Sequence, residues 1–221
     1  MAKRRPPEDS NPPNNSAVSR RAFLKGAGMT AAGGAVLDSG LLAQTGASGP
    51  KVMGPDAVTI ALRVNGAVKQ VAVEPRTTLA DALRNSLDMT GTKVVCDRGS
   101  CSACTVWLDS MPVNSCMTFA LDVGERGVTT IEGLAKGGQM HPLQAAFVAH
   151  DALQCGYCTP GMVMSCAALL ERKANPTLDD VRQATSGNLC RCGTYPKVFA
   201  ATLATAKSRA SVNHEEEGGI A

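Results

Sequence analysis

Residues 154–161 read QCGYCTPG, and residues 187–195 read GNLCRCGTY. These two stretches place four cysteines as two close pairs that lie far apart in the chain: Cys155, Cys158, Cys190 and Cys192. Four thiolates spaced in this way can close around one compact inorganic centre. We therefore interpret them as the ligands of a single iron–sulfur cluster.

A second set of four cysteines lies upstream: Cys96, Cys101, Cys104 and Cys116. The intervals between its first three members are those of a plant-type [2Fe–2S] ferredoxin loop. The intervening residues are small or turn-prone, and Gly99 permits the positive φ that a tightly curled loop needs. The sequence thus predicts two [2Fe–2S] clusters, between which single electrons can pass.

Two other uses of cysteine compete with this interpretation. Many cysteines in an exported chain ordinarily indicate disulfides. Structural zinc is the other alternative, but zinc sites usually pair two Cys-x₂-Cys hooks, which the first set does not. Cys166, the ninth cysteine, lies on an apolar helical face and is predicted to be a buried core residue.

Residues 56–134 show the pattern of a small α+β domain around the first set. Asn65-Gly66 is a strong hairpin signal. Thr78 is predicted to cap a helix that runs to about Leu87, with Asp81 at the capping-box distance. Five segments read as strands: 58–64, 68–73, 105–109, 113–116 and 128–134.

Residues 135–207 have a helical pattern, and residues 208–221 read as a polar, frayed tail. The four predicted helices run from about His141 to Gln154, from Pro160 to Lys173, from Thr177 to about Gly187, and from about Pro196 to Lys207. Such helices make a small bundle. Both cysteine pairs of the second set precede helices, so the positive helix ends are expected beside an anionic cluster, with Arg172 and Arg191 adding positive potential.

Residues 1–47 are predicted to be a disordered leader, and residues 48–55 a linker. The leader contains SRRAFLK at residues 19–25, before a short, weakly apolar run, and this resembles a twin-arginine export signal. That route exports folded proteins, so thiols that already bind iron are not free to form disulfides. We predict a periplasmic protein with a cleaved leader. Because Asp38 interrupts the apolar run, no stable membrane insertion is expected.

The charge distribution argues against a nucleic-acid partner. Residues 1–47 contain six basic and three acidic residues, which leaves 16 of each sign in the remainder of the chain. No basic surface is implied beyond the leader.

The two cysteine motifs together resemble those of the iron–sulfur subunits of molybdenum hydroxylases, the xanthine oxidase and aldehyde oxidoreductase family, over residues 56–207. The resemblance implies an α+β chain with an N-terminal plant-type ferredoxin-like (β-grasp) domain followed by a four-helix-bundle [2Fe–2S] domain. It also implies a large partner subunit that carries molybdopterin cytosine dinucleotide, and an FAD-binding subunit. Gln154 occupies the family position that contacts the pterin, and Cys192 that of the ligand nearest the pterin. An ordinary helix-end role for Gln154 stays open.

The function that the resemblance implies is electron transfer, with no catalytic residue on this chain. Electrons from aldehyde oxidation to carboxylic acids at the molybdopterin would pass one at a time through the two clusters to FAD or another acceptor. The alternatives are the same subunit of an N-heterocycle hydroxylase, of the isoquinoline or nicotinate type, or a free two-cluster ferredoxin. A simple ferredoxin needs no helical second domain.

The purified protein is expected to be red-brown, to contain about four irons per chain and to give two distinct EPR signals on reduction. Replacing Cys155 or Cys190 with Ser should lower the iron content and alter the reduced-state spectrum. A colourless chain that contains zinc would contradict both iron–sulfur interpretations.

Overall fold

The computed structural model describes residues 54–217 of this chain, with side chains as far as residue 209. The predicted leader and nearly all of the predicted linker lie outside the described residues. Five strands form one mixed sheet: β1 (Val58–Val64), β2 (Ala67–Val73), β3 (Thr105–Leu108), β4 (Met111–Asn114) and β5 (Gly127–Thr129). Their order is β2-β1-β5-β3-β4, with β1 and β5 parallel and the other neighbours antiparallel. The predicted α+β fold is confirmed.

The first hairpin forms where the sequence predicts it. Asn65 and Gly66 both have positive φ, at 51° and 82°, which is the backbone of a two-residue turn between right-twisted strands. The strand residues that point inward from this hairpin are apolar and buried: Leu62, Val64, Val71 and Val73. The sheet therefore has one face available for a helix.

The helix α1 (Leu79–Asp81) continues as a π-helical turn over Ala82–Ser86 and covers that face with Leu79 and Leu83. Its start is fixed by Thr78, whose Oγ1 accepts the Asp81 N–H at 3.1 Å and donates to the Asp81 carboxylate at 2.8 Å. The predicted cap is confirmed. The side-chain bond runs from the hydroxyl rather than from the backbone N–H of the usual capping box.

The prediction that β5 continues to Leu134 is wrong, because the strand ends at Thr129 and a 3-10 turn follows over Ile131–Gly133. Asn65 causes the change of direction. Its side-chain oxygen accepts the Thr130 N–H at 2.9 Å, and its side-chain nitrogen donates to the Thr130 hydroxyl at 3.0 Å. These bonds replace the ladder bonds that a longer strand would need.

Four helices follow the sheet: α2 (Pro142–Ala149), α3 (Thr159–Arg172), α4 (Leu178–Ala184) and α5 (Tyr195–Glu217). The α3 helix is central, and its residues from Gly161 to Leu170 are all buried. The predicted cap of α4 is confirmed, since Thr177 and Asp180 bond each other reciprocally. None of the helices in the described part of the chain combines the length and apolarity needed to cross a membrane.

Two of the predicted helix ends are wrong. The α2 helix ends at Ala149 rather than near Gln154, because Asp151 turns left-handed at φ 50° and the Ala152 N–H reaches back to the Phe147 carbonyl. The α5 helix continues through the predicted tail to Glu217. Arg209, beyond the predicted end, contacts Glu171 and His141 at 3.3 and 3.1 Å.

The described residues all belong to one compact unit, Met53–Ala221, that contains two hydrophobic cores. One core lies between the sheet and α1, and the other lies among the four later helices. Trp107 projects from β3 into the helical core, and its indole N–H donates to the Met164 carbonyl at 2.9 Å. A side chain of the sheet thus completes the helical core. The domain boundary that the sequence places at residue 134 stays a prediction.

Replacing Trp107 by Phe should lower the free energy of unfolding by about 1 kcal/mol, because the ring is largely retained while one buried hydrogen bond is lost. Replacing Trp107 by Ala should cost about 3–5 kcal/mol, because the helical core then contains a cavity. Urea unfolding followed by circular dichroism measures both, since the variants lack the only tryptophan. A Trp107→Phe variant as stable as the unsubstituted chain would contradict the role assigned to the indole N–H, and equal losses in the two variants would contradict the role of the ring in the helical core.

Candidate iron–sulfur sites

Three cysteines of the first set lie in one curled loop, and the fourth lies beside it. Cys96, Cys101 and Cys104 lie between α1 and β3, and Cys116 lies in the 3-10 turn Ser115–Met117 after β4. The loop curls because Asp97, Gly99 and Ser102 have positive φ. Gly99 is required for space as well as for φ, since a Cβ there would lie 2.9 Å from the Met117 side chain.

The fourth cysteine of this set is brought to the loop by its neighbours. Ser115 donates its hydroxyl to the Cys104 carbonyl at 2.7 Å, and Asn114 donates its side-chain amide to the Gly99 carbonyl at 3.2 Å. Because both residues adjoin the end of β4, the strand holds Cys116 against the loop. The strand itself stops at Asn114, two residues before the predicted end.

The second cysteine set lies where helices begin, as predicted. Cys158 is the N-cap residue of α3, and its carbonyl accepts the Met162 N–H at 2.9 Å. Cys190 and Cys192 lie just before α5. Cys155 is exposed, whereas the other three are partly buried. The positive ends of two helix macrodipoles therefore lie close to this set, which favours an anionic occupant.

The two sites share a boundary. The Leu189 N–H donates to the Cys101 carbonyl at 3.0 Å, and the Asn188 side chain donates to the Ser102 carbonyl at 3.0 Å. The α3 helix approaches the same loop so closely that a Cβ on Gly161 would lie 2.3 Å from the Ser102 carbonyl oxygen. The loop of the first site is therefore packed against the segments that carry the second.

Within each set the thiols contact one another in twos. The side-chain interactions that shift the thiol pKa values pair Cys96 with Cys101, Cys104 with Cys116, Cys158 with Cys190, and Cys155 with Cys192. Two pairs in each set match a centre that contains two metal ions, each bound by two cysteines.

The thiols of a pair differ in acidity. The Arg98 N–H and further backbone N–H groups lower the pKa of Cys96 to about 7, whereas burial raises that of Cys101. Burial also acts to raise the pKa of Cys190, but the Thr194 hydroxyl and N–H outweigh it and lower this pKa to about 7. Burial and the contact with Cys190 raise the pKa of Cys158 to about 12. Metal binding at such a pair must therefore release a proton.

Comparisons with known proteins agree with this arrangement. A model of a 2Fe–2S iron–sulfur cluster binding domain matches residues 62–127, and a model of a [2Fe–2S] binding domain matches residues 130–203. The aldehyde oxidoreductase iron–sulfur-binding subunit PaoA of Escherichia coli O157:H7 is 39% identical over 215 residues, which cover 88% of this chain and 93% of PaoA. This chain is an iron–sulfur subunit of the xanthine oxidase family.

Other members of the family are similarly close over the two cluster-binding regions. The nicotine 6-hydroxylase small subunit of Paenarthrobacter nicotinovorans is 47% identical over 148 residues, which cover 67% of this chain and 89% of that subunit. The crystal structure of quinoline 2-oxidoreductase from Pseudomonas putida 86 aligns with a TM-score of 0.67 and 40% identity, covering 69% of this chain and 96% of that one. Two [2Fe–2S]-binding domains are therefore part of this iron–sulfur subunit.

The other residues predicted for the second site of this iron–sulfur subunit differ in their distance from its cysteines. Gln154 is exposed beside Cys155, and its predicted contact with a pterin stays a prediction, as do the eight cysteine ligands. Arg191 is exposed between Cys190 and Cys192. Arg172 lies at the opposite end of α3 from Cys158, about 20 Å away at the rise of an α-helix, so its predicted effect on the second site is wrong.

Sequence reasoning did not assign roles to the polar residues that surround the second site of this subunit. Asn188 and Thr194 are buried, at 3% and 4% exposure, and each bonds a cysteine or a residue next to one. Tyr195 accepts the Cys190 N–H at 2.7 Å and donates to the Asn188 carbonyl at 3.1 Å. The only sequence signal for these roles is their position within the cysteine motif.

Replacing Gly161 by Ala should lower the iron content at both sites and destabilise the protein by about 1–3 kcal/mol or more, because the added methyl group collides with the Ser102 backbone. Gly187 supplies the matched control, since a Cβ there would approach the Ser102 hydroxyl at 3.1 Å and no backbone atom. Iron analysis and urea unfolding measure the two effects. If Gly161→Ala behaves like Gly187→Ala, the close approach of α3 to the first cysteine loop is not needed for cluster binding.

Proposed function

We propose that this chain relays electrons within a periplasmic aldehyde oxidoreductase. It would receive them from a large subunit that carries molybdopterin cytosine dinucleotide, where aldehydes are oxidised to carboxylic acids, and pass them to an FAD-binding subunit. Each [2Fe–2S] cluster, when bound, accepts and returns one electron at a time. The chain itself contributes the ligands, the route between the sites and the surfaces that meet its partners.

The similarity to PaoA carries the aldehyde assignment. It covers 88% of this chain, whereas the described residues 54–217 make up about three quarters of it. The similarity therefore extends beyond the two cluster-binding regions, into the leader or the last residues. The similarity to the nicotine 6-hydroxylase subunit covers 67% of the chain. The motif SRRAFLK at residues 19–25 supports export by the twin-arginine route.

The relay has a short connection between its two sites. Cys190 is bonded covalently to Leu189, and the Leu189 N–H donates to the Cys101 carbonyl at 3.0 Å. A ligand of the second set is thus joined to a ligand of the first by backbone and one hydrogen bond. Asn188, which donates to the Ser102 carbonyl, holds the same two segments together. This connection supports electron transfer between the sites without a mobile carrier.

The surface of the second site fits a partner subunit. Tyr157 and Leu189 are 61% and 57% exposed on either side of this cysteine set, and Cys155 and Gln154 are exposed there as well. Apolar side chains at the edge of a redox site are typical of a surface that a partner covers. A molybdenum subunit at this surface would bring its pterin to Gln154 and Cys192, in agreement with their predicted roles.

The first site would face the acceptor. Met117 and Phe119, beside Cys116, are 64% and 49% exposed and offer a second apolar contact surface. The sequence has no Gly-x-Gly-x-x-Gly motif after a predicted strand, so FAD is assigned to a partner rather than to this chain.

A second function is favoured by one observation. The nicotine 6-hydroxylase subunit has the higher identity, 47%, within the region that it shares with this chain. An N-heterocycle would then be the substrate of the molybdenum subunit, while the relay on this chain would be unchanged.

The complex should be recoverable from a periplasmic extract of the native host through an affinity tag on this chain. We expect a molybdenum-containing subunit and an FAD-containing subunit to co-purify with it. With an artificial electron acceptor, the complex should oxidise aldehydes faster than isoquinoline or nicotinate. Metal and flavin analysis accompany the assay.

Three outcomes would contradict separate parts of the proposal. Recovery of this chain alone, with iron but without molybdenum, would favour a free ferredoxin. Turnover of heterocycles but not of aldehydes would favour the second function. Recovery from the cytoplasmic fraction only would contradict the periplasmic location.

A further inference from the structure

Thr194 makes a hydrogen bond to a cysteine of the second set. Its Oγ1 lies 3.2 Å from the Sγ of Cys190, and the threonine is buried, with 4% of its surface exposed. In a free thiol either atom can donate. A cysteine that binds iron is a thiolate and has no proton to give, so the hydroxyl must then be the donor.

The position of Thr194 leaves its hydroxyl available for this role. Threonine before a helix commonly uses its hydroxyl to accept an N–H of the first turn. Here Pro196 has no N–H to give, and the Lys197 N–H donates to the backbone carbonyl of Thr194 at 3.0 Å rather than to the hydroxyl. The helix start is therefore supported by the backbone carbonyl, while the hydroxyl lies against the sulfur.

The sulfur is also held in place for this bond. Tyr195 accepts the Cys190 N–H at 2.7 Å and donates to the Asn188 carbonyl at 3.1 Å, which fixes the backbone on which Cys190 sits. Tyr195 is therefore a positioning residue. The distance between the hydroxyl and the sulfur depends on two adjacent residues at the start of α5, rather than on a mobile loop.

A hydrogen bond to a ligand sulfur has a defined effect on a redox centre. Reduction adds negative charge to the cluster and its thiolates, and a donor stabilises the more negative form. We propose that the Thr194 hydroxyl raises the reduction potential of the second cluster by donating to Cys190. This inference rests on the proposed function. In that function, Thr194 adjusts how readily the second site accepts an electron.

The test compares three variants of the full chain in its native complex. Thr194→Val removes the hydroxyl and keeps the shape, Thr194→Ser keeps a hydroxyl, and Thr202→Val is the matched control. Thr202 is a buried threonine of α5 whose hydroxyl donates to the Val198 carbonyl. Reductive titration followed by EPR gives the midpoint potential of each signal. The EPR signal that changes in a Cys158→Ser variant is assigned to the cluster of the second cysteine set.

We expect Thr194→Val to lower the potential of the second cluster and to leave that of the first unchanged. The expected fall in midpoint potential is about 59 mV, which corresponds to a tenfold change in the equilibrium constant of one-electron reduction. Thr194→Ser should restore most of the shift, and Thr202→Val should produce none. An unchanged potential in Thr194→Val, or an equal shift in Thr194→Ser, would overturn the inference. A preparation of the unsubstituted chain without two iron-based signals would contradict the proposed function instead.

Discussion

The carbonyl oxygen of Ser102 organises this iron–sulfur subunit. It accepts the Thr105 hydroxyl at 2.7 Å, which anchors the start of β3, and the Asn188 side chain at 3.0 Å, which anchors the approach to α5. It also lies where a Cβ on Gly161 of α3 would collide with it. One backbone group thus places the sheet, the central helix and the last helix relative to one another. Because Ser102 lies inside the first cysteine loop and Asn188 lies two residues before Cys190, this contact also fixes one site against the other.

Signals that act within a few residues predicted the local structure well. The hairpin at Asn65-Gly66 and the caps at Thr78 and Thr177 all formed, because turn and cap geometry depends on the residues nearest in sequence. The strand and helix ends that were predicted wrongly are set by residues distant in the sequence. The strand β5 stops early because Asn65, sixty-five positions away, binds Thr130. The helix α5 runs past its predicted end and contacts Glu171 of α3 through Arg209.

For the candidate sites, too, short-range signals predicted the positions of residues, whereas contacts between distant segments could not be predicted. Spacing alone predicted the eight cysteine ligands, which stay a prediction, and the thiols within each set lie near one another because a loop or a helix start determines where neighbouring thiols point. Their pairing could not be predicted, since Cys158 meets Cys190 only after α3 and α5 have packed. Exposure does not follow from residue type either, since the apolar side chains of Met111, Met117 and Met140 are all exposed.

The segment that joins the sheet to the helices is a small exposed hairpin. Lys136 and Gln139 exchange two backbone hydrogen bonds around Gly137 and Gly138, and residues 135–140 are all exposed. The contacts that hold the two cores together, from Trp107 to Met164 and from Leu189 to Cys101, lie elsewhere. The peptide link at this hairpin is therefore dispensable for their association. A chain nicked between the two glycines would keep its two halves joined by non-covalent contacts alone.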